Sequence, residues 1–414
     1  MEKTRIPAGK SVEKVAGPSG SSRGEVVLGK NEERRVVAGH RWVFSNEVAR
    51  GGDRGGLSTA PLLVDVRSSS GRFLGTGIYN PHSLIAVRLL EGRVERFEDY
   101  LSDRLEAAIS MRERLGSGEE GVRLVHSEAD ALPGLVLDRY GEYLSLQITT
   151  RTMEASLPYI LDRLMERLSP RGIRVDRGLR SREMEGLPVG EDQAVGEVPE
   201  ELSIRSGAGA LAFPFLHGQK TGLFLDQKDN IKALSPRIGG GTLLDAFSYV
   251  GGWSQSVSFA EPRTRLIGVD ASGTAISFYR RNNPSGEGIE ADFFSWGEAA
   301  RSAGRRFDTV VLDPPAFIKS RRLVKEGIEG YHKAFRLGLS LVGDGGIFVV
   351  CSCSALLSWE DFTGILRAVF RKDGRPGRLF YSGRASWDHP RILAMPELDY
   401  LKCAAFYVGE KPGF

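Results

Sequence analysis

Residues 241–254 read GTLLDAFSYVGGWS. An apolar run ends on Asp245, and Gly251 and Gly252 precede a helical pattern, WSQSVSFA. That order predicts a buried strand, a tight connection in which glycine lets the backbone approach a ligand, and a helix. The rhythm repeats to the C-terminus. RLIGVD, GIEADF, DTVVLDPP and GGIFVVCSCS are apolar runs, separated by the helical stretches GTAISFYRRN, FSWGEAARSAG, GYHKAFRLGLSLV and SWEDFTGILRAVFRK, and YLKCAAFYVG closes the chain as a last strand. Apolar strands alternating with helices predict an α/β fold: a doubly wound parallel sheet covered on both faces.

Upstream the pattern differs. The short runs EVVLGK, PLLVDVRS, RFLGTGIYN and LIAVRLL, broken by glycines, predict a small β-barrel over residues 25–97. A central α+β unit is expected over 98–212. Its helix is FEDYLSDRLEAAISMRERL, RLVHSEADALPGLVLDRYGEYLSLQI reads as a hairpin-like strand pair, MEASLPYILDRLMERL is a second helix, and GIRVDRG and LSIRSG are strands. Residues 213–414 carry the alternating unit. Residues 1–24, rich in Gly, Ser and Pro and lacking an apolar core, read as a disordered N-terminal extension rather than a secretory signal.

The chain has 414 residues, more than one small core accommodates. With 56 basic and 53 acidic residues the net charge is only +3, so any nucleic-acid signal must be local. Two basic clusters meet that condition: Arg171, Arg174, Arg177, Arg180 and Arg182, and, after DPPAF, Lys319, Arg321, Arg322 and Lys325. A solvated arginine face is the plain alternative for each. Cys351, Cys353 and Cys403 form no CxxC pair, so no metal site is expected. Such cysteine usage fits a reducing cytoplasm. No run approaches the roughly 20 apolar residues that span a bilayer, so no membrane association is expected.

In open α/β sheets ligands bind beyond the carboxyl ends of the strands. Asp245, Asp270, Asp292 and Asp313 occupy four successive ends. One such acid alone would be a routine helix cap. Asp270, closing the second strand, is placed to accept from ribose hydroxyls, and Asp292 from the exocyclic amino group of a purine. No G-x-G-x-x-G pattern and no Walker lysine accompany them. Acids and glycines suit a nucleoside without phosphates, and S-adenosylmethionine, with its cationic sulfonium, is such a ligand. After Asp313, Pro314 and Pro315 fix φ and withdraw two donors, which stiffens the turn. Phe317 is placed to stack on a flat base, the alternative being a buried turn residue. Cys353 ends the fifth strand on the same rim. C5 of a pyrimidine is a poor nucleophile; a thiolate adding at C6 makes C5 enamine-like. Cys351 reads as a small buried strand residue.

Taken in order, HRWVFSNEV, LVHSEADALPGLVLDRYG, HGQKTGLFLDQKDN, LLDAFSYVGGWS, VVLDPPAF and CSCS resemble the RlmI-like ribosomal RNA methyltransferases, from about residue 25 to the C-terminus. The resemblance implies an S-adenosylmethionine-dependent enzyme that makes 5-methylcytosine in large-subunit ribosomal RNA. It implies a PUA domain, a central α+β domain and a class I Rossmann-like methyltransferase domain, in a homodimer. By the same resemblance Gln219, Lys220, Thr221, Phe224, Asp226 and Gln227 enter the donor pocket. Asp245, Phe247, Gly251, Asp270, Asp292 and Asp313 fall on the donor-binding motifs, and Cys353 on the nucleophile. Arg41 and Trp42 sit in the RNA-binding module, with core packing the plain alternative for Trp42. Pro314, Pro315, Phe317, Lys319, Arg321 and Arg322 are expected on the substrate side. Arg41, Ala316 and VGGW stand where the family usually has proline, lysine and TGGF. The reading is therefore an RNA cytosine-C5 methyltransferase in which Cys353 attacks C6 and Asp313 hydrogen-bonds the base. Two rivals stand beside it: methylation of an exocyclic amino group without a thiol, and a non-catalytic RNA-binding assembly factor.

Overall fold

The computed structural model describes residues 24–54, 62–116, 118–206, 209–216, 218 and 221–411. Except for Gly24, the expected N-terminal extension lies outside the described residues, as do Gln219 and Lys220.

The alternating unit folds into a seven-stranded sheet. Its strands are β1 (Thr242–Ala246), β2 (Arg265–Asp270), β3 (Glu287–Glu290), β4 (Phe307–Leu312), β5 (Val342–Ser352), β6 (Gly377–Gly383) and β7 (Lys402–Val408). Helices α1 (Lys228–Leu234), α2 (Gly252–Ala260), α3 (Gly273–Asn282), α4 (Phe293–Ser302), α5 (Val324–Leu341) and α6 (Trp359–Asp373) flank it. The spatial order is β3-β2-β1-β4-β5-β7-β6. The first five strands are parallel, and β7 runs antiparallel to both β5 and β6. β1 thus has β2 on one side and β4 on the other, so the order reverses there.

Alternate residues feed opposite faces of this sheet. Leu244, Ile267, Val310 and Phe348 pack with Phe335 of α5 and Phe362 of α6. Leu243, Leu266, Val311 and Val349 pack on the other face with Trp253 and Val257 of α2. Each such side chain, fully buried, contributes about 1.5–3 kcal/mol. Two features depart from the sequence reading. β6 is an edge strand exposed along most of its length, so it lacks the apolar run that marks its neighbours. β7 is not parallel, because the 384–401 connection from β6 contains no crossover helix, which a parallel pair would need.

The N-terminal strands form a six-stranded mixed sheet around Val26, Leu28, Val64, Val66 and Val87. A helix, Phe97–Leu115, leads to a five-stranded sheet. The expected strand pair within 121–148 is three strands, Gly121–His126, Leu135–Tyr140 and Tyr143–Ile148. Gly141, with φ of +60°, makes the tight second turn that the sequence reading passed over.

Charge joins the N-terminal sheet to the central one. Arg88 donates to Glu128 at 2.6 Å and to Glu185 at 2.7 Å, and Ser83 also donates to Glu185 at 2.6 Å. Trp42 Nε1 donates to Glu128 at 3.0 Å. Both carboxylates are buried. Arg88→Met would leave them without a cation and is expected to cost about 3 kcal/mol. A urea midpoint equal to that of the parent protein would show that the joint does not rest on this residue.

Candidate active site

At the reversal point the strand ends open onto a cavity of about 1090 Å³. The loop after β1 contributes Phe247, Ser248, Tyr249 and Val250, and α2 contributes Gly252 and Trp253. Asp270 ends β2, Asp313 to Ala316 follow β4, and Cys353 follows β5. Phe224 to Lys228 close one side, with Tyr400 and Leu401 ahead of β7.

The β1 loop adopts a costly conformation. Phe247 and Tyr249 have φ of +61° and +48°, a region non-glycine residues avoid. The loop is pinned by Tyr249 N donating to Asp270 Oδ2 at 2.9 Å and by Ser248 N donating to Val269 O at 3.1 Å. Gly251 is needed for a different reason than the one expected. Its φ is +85°, and a Cβ there would lie 2.3 Å from Asn283 Nδ2 and 2.6 Å from the Tyr279 ring. It packs on α3 and is not part of the cavity wall; Gly252 faces the cavity, with no neighbour to a Cβ nearer than 3.7 Å.

The four acids do different work. Asp245 is buried and accepts from Ser254 N at 3.2 Å and Ser254 Oγ at 2.8 Å, which ties β1 to the first turn of α2. Burial pushes its carboxyl up to about 7; the Ser254 bonds oppose this, and the charges of Asp313 and Asp270 add to it. Asp270 is a cavity residue whose two oxygens accept from Tyr249 N and from Ser272 N at 2.8 Å. Asp292 is exposed and caps α4, accepting from Ser295 N at 2.9 Å and Ser295 Oγ at 3.0 Å; it is not among the residues of the cavity wall. Asp313 accepts from Gln227 Nε2 at 3.0 Å, and Asn230 in turn donates to Gln227 Oε1 at 2.7 Å.

Cys353 lines the cavity, half-buried, with Sγ 3.9 Å from Pro314 O. Cys351 and its cross-strand partner Cys403 are fully buried in the sheet core. Pro314 and Pro315 line the cavity, but Phe317 packs edge-on against Tyr331, with ring centroids 4.8 Å apart, on the hydrophobic core. Phe224 stands edge-on to Tyr249 at 5.2 Å in the wall. Thr221 is buried beside Tyr140, to which it hydrogen-bonds, and does not line the cavity.

Lys319, Arg321 and Arg322 are exposed, and no ion pair involves them among the described residues. The other basic cluster is largely neutralised. Arg174 pairs with Asp192 at 2.6 Å, and Arg177 and Arg182 both pair with Glu154. Arg171 reaches Glu142 and Glu197. Arg41 pairs with Glu91, and Trp42 is spent on Glu128. The sequence reading gave no role to Ser248, Trp253, Tyr400 or Lys402. Tyr400 donates to Asp226 at 2.7 Å, and burial, with the Asp226 charge, holds its phenol well above the ordinary range. The available signal was YLKC, a lysine inside an apolar strand.

A PUA-like domain family model matches residues 26–91. Over 93% of this chain and all of its own, SMU.776, solved with SAH, superposes with a TM-score of 0.79 at 19% identity. A Streptococcus mutans protein assigned as a SAM-dependent methyltransferase superposes with a TM-score of 0.78 at 18% identity, over the same shares of the two chains. Fold and cavity together define a Rossmann-like methyltransferase preceded by a PUA-like domain. Ribosomal RNA large subunit methyltransferase I of Shigella dysenteriae is 30% identical over 390 residues, 91% of this chain and 97% of that protein; the Escherichia coli K12 protein gives the same figures. The chain belongs to the ribosomal RNA large subunit methyltransferase I family.

Two measurements check the architecture of the site. The Asp245 carboxyl has a folded pKa above its unfolded value of 3.8, so its stabilising contribution is complete below about 4 and is lost as pH rises through about 7. Asp245→Asn is therefore expected to stabilise the protein at pH 8 relative to pH 4, by about 2–4 kcal/mol. Parallel stability profiles for the two proteins across that range would refute the assignment. Gly251→Ala is expected to cost about 2 kcal/mol or more, from the forced φ and the contact with Asn283, seen as a lowered Tm.

Proposed function

We propose that this chain transfers a methyl group from S-adenosylmethionine to C5 of a cytosine in large-subunit ribosomal RNA, through a covalent bond between Cys353 and C6. One observation carries the reading: Asp313 and Cys353 follow the neighbouring strands β4 and β5 on the wall of one cavity.

The wall suits the methyl donor. The Asp270 carboxylate is held by two backbone N–H groups and retains lone pairs for vicinal hydroxyls. Ser248 Oγ and Trp253 Nε1, on residues of the cavity wall, are buried and make no hydrogen bond with another described residue. Buried polar atoms of this kind call for a partner. Phe224, Gln227 and the backbone of Gly252 complete the proposed donor site. Bound there, S-adenosylmethionine supplies an electrophilic methyl group.

The chain supplies the rest. Cys353, having lost its proton to solvent as the thiolate, gives the Sγ electron pair to C6, and the C5=C6 π electrons move to C5, which becomes nucleophilic. Asp313 accepts from the exocyclic amino group and holds the ring over the thiol. Once C5 carries the methyl group, loss of its proton restores C5=C6 and expels Sγ. The stiff Pro314–Pro315 turn fixes Asp313 relative to Cys353. A base inside a duplex cannot reach this wall, so the cytosine is extruded or single-stranded. Lys319, Arg321 and Arg322, on the connection that follows the turn, meet the flanking phosphates.

Cys353→Ala is expected to reduce methylation of ribosomal RNA by about 10³-fold or more and to abolish the adduct with 5-fluorocytosine RNA. Micromolar S-adenosylmethionine binding, read by calorimetry, is expected to persist. Full activity in the variant would instead indicate transfer to an amino group, and loss of donor binding by the parent protein would indicate a binding factor.

A further inference from the structure

Lys402 begins β7 directly opposite Ser352 of β5, beside the buried strand residues Cys403, Ala404 and Ala405. It is only 1% exposed. Its ammonium donates to Ser354 O at 3.0 Å and to Tyr400 O at 3.1 Å, both neutral backbone oxygens. Among the described residues no carboxylate lies within ion-pair distance of it; Asp399, one turn of chain away, pairs with Arg384 and Arg391, each at 2.6 Å. A buried ammonium without a counter-ion is costly and is rarely retained for packing. Its ladder partner Ser352, at the end of β5, and its acceptor Ser354, two residues further on, bracket Cys353.

We propose that Lys402 is a positioning residue for Cys353: its buried ammonium fixes the Ser352–Ser354 turn and stabilises the thiol as the thiolate. The inference rests on the reading that Cys353 is the nucleophile. Other groups also face this turn. Asp313 follows β4, and Tyr331 of α5 bonds Ser354 Oγ at 2.7 Å; burial holds the phenols of Tyr331 and Tyr400 above their ordinary range. Arg384 is occupied by Asp399. An anion formed on Sγ would then supply the charge that Lys402 lacks. Burial pushes the ammonium down to about 8, with Arg384 acting in the same direction and Asp399 and Cys353 opposing, so it remains largely protonated at pH 7.

The test is the pH dependence of iodoacetamide alkylation in the full-length protein. Cys351 and Cys403 are fully buried, and Cys353→Ala provides the blank, so the rate reports Cys353. Lys402→Met is expected to raise the alkylation midpoint by about one pH unit or more and to cut the rate at pH 7 by about 10-fold. Methylation is expected to fall in parallel at pH 7 and to recover as pH rises, with S-adenosylmethionine affinity unchanged. Lys402→Gln, which keeps a donor for Ser354 O but no charge, is expected to show the same shift should the Met variant fail to fold. An alkylation profile that overlays the parent's in whichever variant folds would overturn the proposal. Retained methylation in Cys353→Ala would refute the nucleophile reading separately, because the alkylation curves still decide whether the cation and the thiol are linked.

Discussion

The site exists because the sheet reverses its order at one place. β1 pairs with β2 on one side and β4 on the other, so their following loops leave in opposite directions and the gap between them cannot close. Asp270, Asp313 and the strained Phe247–Tyr249 loop all face that gap. The strain is borne by local bonds, Tyr249 N to Asp270 and Ser254 to Asp245, that depend on β1 and β2 being in register. A carboxylate buried in this way is a cost to folding that the surrounding core offsets.

The antiparallel β5–β7 pair adds what a wholly parallel sheet would not. It brings Lys402 beside the end of β5, where it bonds to Ser354 O, next to Cys353 though far from it in sequence. The thiol is then framed by groups from β4, β5, α5 and β7, and none of these elements positions it alone.

The sequence displayed the sheet clearly, because buried parallel strands are continuous apolar runs. It displayed the strand-end acids equally clearly, but not how they differ. An acid that lines a cavity and an acid that caps a helix occupy the same place in the pattern, and only geometry separates Asp270 from Asp292. Phe317 was ambiguous for a related reason: an aromatic after two prolines can face outward or pack inward, and here it packs on Tyr331. The arginines of 171–182 read as a basic face because their acids, Glu142, Glu154, Asp192 and Glu197, are brought to them by folding. β6 was missed because an exposed edge strand has no apolar periodicity.

The 384–401 connection touches the N-terminal sheet, the central unit and the cavity wall. A Cβ at Gly39 would come within 3.2 Å of Ala394, and Glu397 lies 3.4 Å from His40 in the N-terminal sheet. Trp387 fills the space beside Gly116, and Asp388 accepts from Arg123 N and Lys228. Ser386 N donates to Asp226 O in the cavity wall. Loops are ordinarily where a chain accepts added or deleted residues, since little is buried there. Here the rule is inverted: a single extra residue would have to be absorbed at three separate docking points, so this irregular stretch is as fixed in length as any strand of the sheet.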